Sequence, residues 1–98
     1  MDLEYRGKLT ELSMANETLY RLIEMFINNA NLYSHNGHSV ANYCVIRDLS
    51  NVLFKVNFEK DLKKWKDISV NEINTCAYKL LQANTTSLRK KGIGSYEN

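Results

Sequence analysis

Four side chains in this 98-residue chain are of the kind that binds metals or attacks carbonyl groups: His35, His38, Cys44 and Cys76. A His-x-x-His pair could grip zinc if a turn brought both rings together, and Cys44 lies six residues further on. Structural zinc sites draw their cysteines from closely spaced pairs, however, and neither cysteine here has a near neighbour. The plainer reading is two solvated turn histidines and two small buried thiols, free in a reducing compartment. No metal and no other cofactor is expected.

Cys44, His38 and Asp48 supply the residue types of a nucleophile, its base and an orienting acid. Cys44 and Asp48 fall four apart on one predicted helix while His38 precedes that helix, which makes convergence difficult. There is no glycine-rich phosphate loop, no Gly-x-Ser-x-Gly elbow and no His-Glu-x-x-His. Glu17 and Glu24, seven apart, look like a solvated edge and not an acid–base pair. Each reactive template lacks a part, so an enzyme is not expected.

Two other groups of residues point to binding. Lys60, Lys63, Lys64 and Lys66 surround Trp65, and Arg89-Lys90-Lys91 forms a second cationic cluster. Lysines around an exposed ring could hold phosphates while the ring stacks on a base. The competing reading is a solvated charged edge with Trp65 plugging the core, and Glu59, Asp61 and Asp67 dilute the charge. Tyrosine is the second surplus, with six in the chain. Tyr20 and Tyr43 fall off the apolar seams and Tyr78 sits at the edge of one, which makes these three candidate partner contacts. Asn28, Asn31 and Asn42 add amides nearby in sequence.

The elements that must position these groups are helical. There is no proline to interrupt a backbone ladder, and four glycines are too few for a design of many tight turns. From Asp2 to about Tyr33, steps of four and three connect Tyr5, Leu9, Leu12, Asn16, Leu19, Ile23, Phe26, Ala30 and Tyr33. Asn16 is the polar intruder. As a seam residue it would fix register in a self-association built on Asn16, Leu19, Ile23 and Phe26; as an N-cap it would start a new helix at Glu17. The continuous seam favours one long, bent helix. Ser34–Ser39 reads as a turn with Ser39 as N-cap, and a second helix is predicted over Val40–Val56 on Ala41, Val45, Leu49, Val52 and Val56. The β-branched content of 51–58 leaves a strand open there, although a period near 3.5 fits better. A short helix in the connector 57–68 is expected to carry Phe58, Leu62 and Trp65. Ser69-Val70-Asn71-Glu72 matches a capping box, opening a last helix that runs to about Lys91, with Gly92 as C-cap and 92–98 as a flexible tail.

The expected architecture is therefore all-α: one domain over 1–91, a small antiparallel bundle of three main helices and one short connecting helix. Composition agrees, with 44% hydrophobic and 24% charged residues. Residues 1–54 carry four basic against six acidic side chains (net −2) and residues 55–98 nine against five (net +4), a mild asymmetry. No apolar run approaches the ~20 residues of a membrane span, and the Met-Asp-Leu-Glu start lacks the pattern of a secretory signal, so a cytoplasmic location is expected. Small helical immunity proteins, antitoxins and phage-encoded inhibitors, often carried on mobile elements, share this size and class, though no motif here matches one. The functional expectation is a helical interaction module, a modulator or inhibitor of a protein partner whose identity is open, with possible homo-oligomers. The alternative is a nucleic-acid-binding regulator using the lysines around Trp65 and Arg89–Lys91.

Overall fold

With every backbone N–H available to donate, the chain builds helices almost throughout. The computed structural model describes the backbone of residues 2–97 and the side chains of residues 3–85. The helices are α1 Asp2–Met14, α2 Leu19–Asn28, α3 Gly37–Leu53, α4 Leu62–Lys66 and α5 Val70–Glu97; no strand occurs among the described residues. The all-α class is as expected, and the possible strand over 51–58 is instead the end of α3 and a turn.

The long first helix does not form. The chain breaks after Met14, and neither reading of Asn16 holds, because Asn16 is exposed and the N-cap of α2 is Thr18. Leu9, Leu12, Leu19, Ile23 and Phe26 are all buried, as their spacing demands, but in two helices with different neighbours. α1 packs mainly on α5 and α3, while α2 packs on α3 and α4. A straight rod could not bring both stripes onto one small core. The carbonyls freed at the end of α1 are taken by Asn74 of α5, whose Nδ2 donates to Leu12 O at 2.6 Å and to Ala15 O at 2.9 Å. The expected self-association seam is corrected by the same observation. Leu19, Ile23 and Phe26 face the protein's own core, with Lys8 Nζ 4.8 Å from the Phe26 ring centroid, and offer no surface to a second chain.

α3 begins at Gly37, three residues before the predicted first helical residue Val40. Asn36 Oδ1 accepts from His38 N at 2.9 Å, so Asn36 and not Ser39 is the N-cap, and Gly37 is helical. Ala41, Cys44, Val45, Ile46 and Leu49 are buried, but Val52 and Val56, assigned to the same seam, are 56% and 42% exposed. Val52 is still within α3 and lines the open groove between α3 and α5, where nothing covers it. Val56 lies beyond the helix stop: after Leu53 the chain passes through Lys55 in the left-handed region (φ 57°), which takes Val56 out of register. The connector is then pinned back by Ser50, fully buried, whose Oγ donates to Ile46 O (2.6 Å) and accepts from Glu59 N (2.9 Å).

A short connecting helix, α4, forms where one was expected and carries Leu62 and Trp65, but Phe58 precedes it in the connector; Asp61 caps it, its Oδ1 accepting from Lys63 N at 3.0 Å. In α5, Ser69 Oγ accepts from Glu72 N at 3.1 Å, half of the expected box. Ile73, Cys76 and Ala77 are buried, and Leu80 and Leu81 pack against the core. α5 extends past Gly92, where a stop was expected. Leu88, Arg89, Lys90, Lys91 and the tail assigned to 92–98 lie outside the residues whose side chains are described.

Removing the Asn74 amide should loosen the joint between α1 and α2. Asn74→Ala is expected to cost about 1–3 kcal/mol, because two interior carbonyls lose their donor. Asn74→Asp, which cannot donate, should cost a similar amount, and urea unfolding followed by circular dichroism checks both; a midpoint equal to wild type would show that Asn74 does not hold the joint.

Candidate interaction surface

The candidate chemical groups do not assemble into a reactive centre. Among the described residues, no group of three or more His, Cys, Asp or Glu side chains is placed to hold a metal ion. Cys44 and Cys76 are free, buried thiols. Burial pushes both above the ordinary thiol value, the opposite of what a nucleophile needs. Asp48, the would-be orienting acid, is engaged elsewhere: Tyr5 Oη donates to Oδ2 at 2.6 Å and Arg47 Nε to Oδ1 at 3.0 Å. Tyr5 is shifted upward in turn, first by burial and then by this hydrogen bond. His35 and His38 are exposed.

The basic segment keeps its lysines and loses its ring. Lys60, Lys63, Lys64 and Lys66 are exposed, but Trp65 has no exposed surface. Its indole packs edge-on against Phe54 (centroids 4.9 Å apart), and its Nε1 donates to Glu59 O at 3.0 Å. Trp65 is thus a core residue held between Phe54 and the connector, and cannot stack on a base. The acidic residues of the segment serve local turns: Glu59 Oε2 accepts from Asp61 N, and its Oε1 lies 3.5 Å from Lys64 Nζ.

The three candidate tyrosines separate. Tyr20 is half-buried, and its hydroxyl donates to Ile68 O at 2.6 Å, tying α2 to the link between α4 and α5. Tyr78 is 52% exposed on α5. Tyr43 alone lines a cleft. It stacks on Phe58 with centroids 4.9 Å apart and planes 22° apart. The two form one wall of a depression of about 800 Å³ between the end of α2, the loop after it and the connector. Leu32 and Tyr33 stand on the loop side, Tyr33 being 89% exposed. Asn28, Asn31 and Asn57 line it with amides and backbone, and Lys60 is the only charged residue of the lining.

The loop that presents Tyr33 is held from within. Asn31 N donates to Ser39 O (3.0 Å), Asn31 Oδ1 accepts from Tyr33 N (3.0 Å), and Asn42 Nδ2 donates to Asn29 O (3.3 Å). Of the asparagines singled out in the sequence, Asn28 and Asn31 do meet Tyr43 at this cleft. Leu32, Tyr33 and Phe58 also line the cleft, which their spacing in the sequence does not indicate. The signal available for Tyr33 was its position beside the Ser34–Ser39 turn, where a ring continuing the helical seam has no neighbour to cover it.

Two further grooves are more apolar: one of about 590 Å³ between α3 and α5, and one of about 520 Å³ between α1 and α2, bordered by the exposed Met14 and Met25. No described helix is long and apolar enough to cross a membrane. No protein-family model, curated protein or solved structure matches the chain.

Two measurements follow from this geometry. Trp65 should emit as a buried indole, resist iodide quenching, and stay unchanged when oligothymidylate is added at low salt; direct quenching by the oligonucleotide would return Trp65 to the surface. The buried thiols also set an alkaline limit. The folded chain keeps protons that the unfolded chain releases, so this stability is complete below the ordinary thiol value of 9.0 and is lost as pH rises beyond it. The urea midpoint should therefore fall with rising alkaline pH, less steeply in the Cys44→Ala/Cys76→Ala variant; a wild-type midpoint that holds constant or rises would contradict the assignment.

Proposed function

We propose that this protein is a helical interaction module that docks a polypeptide partner in the Tyr43–Phe58 cleft and acts by occupying that partner's surface, as a modulator or inhibitor with no reaction of its own. The observation that carries the reading is the stacked Tyr43–Phe58 pair, flanked by the exposed Leu32 and Tyr33 on a loop with little freedom. Aromatic rings on a preorganised support bind a partner at small entropic cost and dominate interface energies where they occur. Asparagine amides beside them can both donate to and accept from a peptide backbone. Lys60, unaccompanied by an acid in the lining, favours a partner segment that brings a carboxylate.

The nucleic-acid reading keeps Lys60, Lys63, Lys64 and Lys66, but with Trp65 buried it has lost the group that would stack; Arg89, Lys90 and Lys91 lie outside the described side chains. It also makes a distinct demand, since each lost phosphate contact should flatten the salt slope of binding by about one unit.

The test is comparative capture from nuclease-treated lysate, using wild type, Leu32→Ala, Tyr33→Ala and, as an off-cleft control, Tyr78→Ala. A protein retained by wild type and by Tyr78→Ala should be bound at least about tenfold more weakly by the two cleft variants, the scale of a central aromatic contact. Both substituted side chains are exposed, so helicity by circular dichroism should not change. Retention indifferent to Leu32 and Tyr33, or lost on nuclease treatment, would reject the cleft as a protein-binding site.

A further inference from the structure

The groove between α3 and α5 carries a charge pattern that the cleft lacks. Its floor is apolar: Leu53, Leu80 and the buried Cys76. Val52 forms the α3 bank and is 56% exposed, an apolar surface that burial would stabilise. The α5 bank bears two opposite charges, Glu72 and Lys79, both exposed and neither in an ion pair with a described residue. They lie seven residues apart, which is two helical turns and about 10 Å along one face. Midway between them is Thr75, exposed and small enough for another helix to come close.

We infer that this face is the interface of a two-fold symmetric dimer of the chain, in which the α5 bank of each copy seats in the α3–α5 groove of the other. A two-fold axis through the Thr75–Cys76 level runs the two α5 helices antiparallel. Glu72 of each copy then meets Lys79 of the other, twice per dimer. Parallel helices in register would instead place Glu72 on Glu72 and Lys79 on Lys79. The ridge of one helix entering the groove beside its symmetry mate is ordinary helix packing, and a self-complementary patch is what an isologous dimer requires. The pattern favours a second copy because under that symmetry the patch supplies its own complement. The α1–α2 groove does not have it, since its charges, Glu11 and Arg21, sit on different helices. The cleft has a single cation and no matching acid. The inference is independent of the docking reading, which concerns other residues.

Charge exchange tests it. Sedimentation equilibrium up to about 1 mM, a concentration that detects even weak pairing, should show wild type as a monomer–dimer system. Glu72→Lys and Lys79→Glu should each weaken self-association about tenfold or more, because two attractive pairs become two repulsive ones. The Glu72→Lys/Lys79→Glu double variant should recover association. An equimolar mixture of the two single variants should form a heterodimer at least as well as wild type pairs with itself, as every cross-copy contact is then attractive. All of these are surface changes, and circular dichroism should show unchanged helicity. A wild type that stays monomeric throughout, single variants that associate like wild type, or a folded double variant that fails to recover would each overturn the inference.

Discussion

The bond on which the architecture turns is the one from the Asn74 amide to the end of α1. A helix that stops leaves its last carbonyls without intrahelical donors, and in a domain this small those carbonyls end up partly buried. One side chain from α5 reaches two of them, Leu12 O and Ala15 O. That tie allows the apolar stripe of the first 28 residues to be divided between two helices instead of lying along one rod. It also joins the two ends of the chain, since α5 arrives last and closes on α1.

The same economy recurs across the molecule. A chain of this length cannot bury a large core, so stability has to come from a modest apolar cluster with its polar groups well paired. Ser50 pins the connector through Glu59 N, Trp65 pins it again through Glu59 O, and Tyr20 reaches Ile68 O. Tyr5 and Asp48 link α1 to α3. Tyr20 and Tyr5 supply packing with the ring and a hydrogen bond across 48 and 43 residues with the hydroxyl, while Ser50 and Trp65 fix the connector over shorter separations. Two of the most conspicuous aromatic residues, Trp65 and Tyr20, are spent in this way on the fold itself.

What remains outside is correspondingly informative. The core takes Leu9, Leu12, Ile46, Leu49 and Ile73 completely and leaves Val52, Val56, Met14, Met25 and Tyr33 in solvent. These are not scattered evenly. Met14 and Met25 border one groove, Val52 another, and Tyr33 stands over a cleft whose wall is the stacked Tyr43–Phe58 pair. The Tyr43–Phe58 cleft and the α3–α5 groove differ in charge, one carrying a lone cation beside aromatic rings and the other a balanced Glu–Lys pair beside aliphatic groups. Such surfaces suit different occupants, and a protein can use both at once.

The amino-acid sequence by itself determined the helical class, the buried identity of Tyr5, Leu9, Leu12, Leu19, Ile23, Phe26, Ala41, Val45, Leu49 and Ile73, the short α4 and the Ser69 start of α5. Each of these depends on local spacing or capping chemistry, which acts over a few residues and can be read without knowing the rest of the chain. Only the tertiary structure decided that the first seam breaks, that Trp65 faces inward, and that of the three tyrosines Tyr43 alone meets Phe58 at a cleft. Those outcomes rest on pairs such as Asn74 with Leu12 and Tyr20 with Ile68, separated by 62 and 48 residues. A hydrogen bond or ring contact across that distance leaves no periodic trace, because what selects it is the geometry of helices brought together by the core.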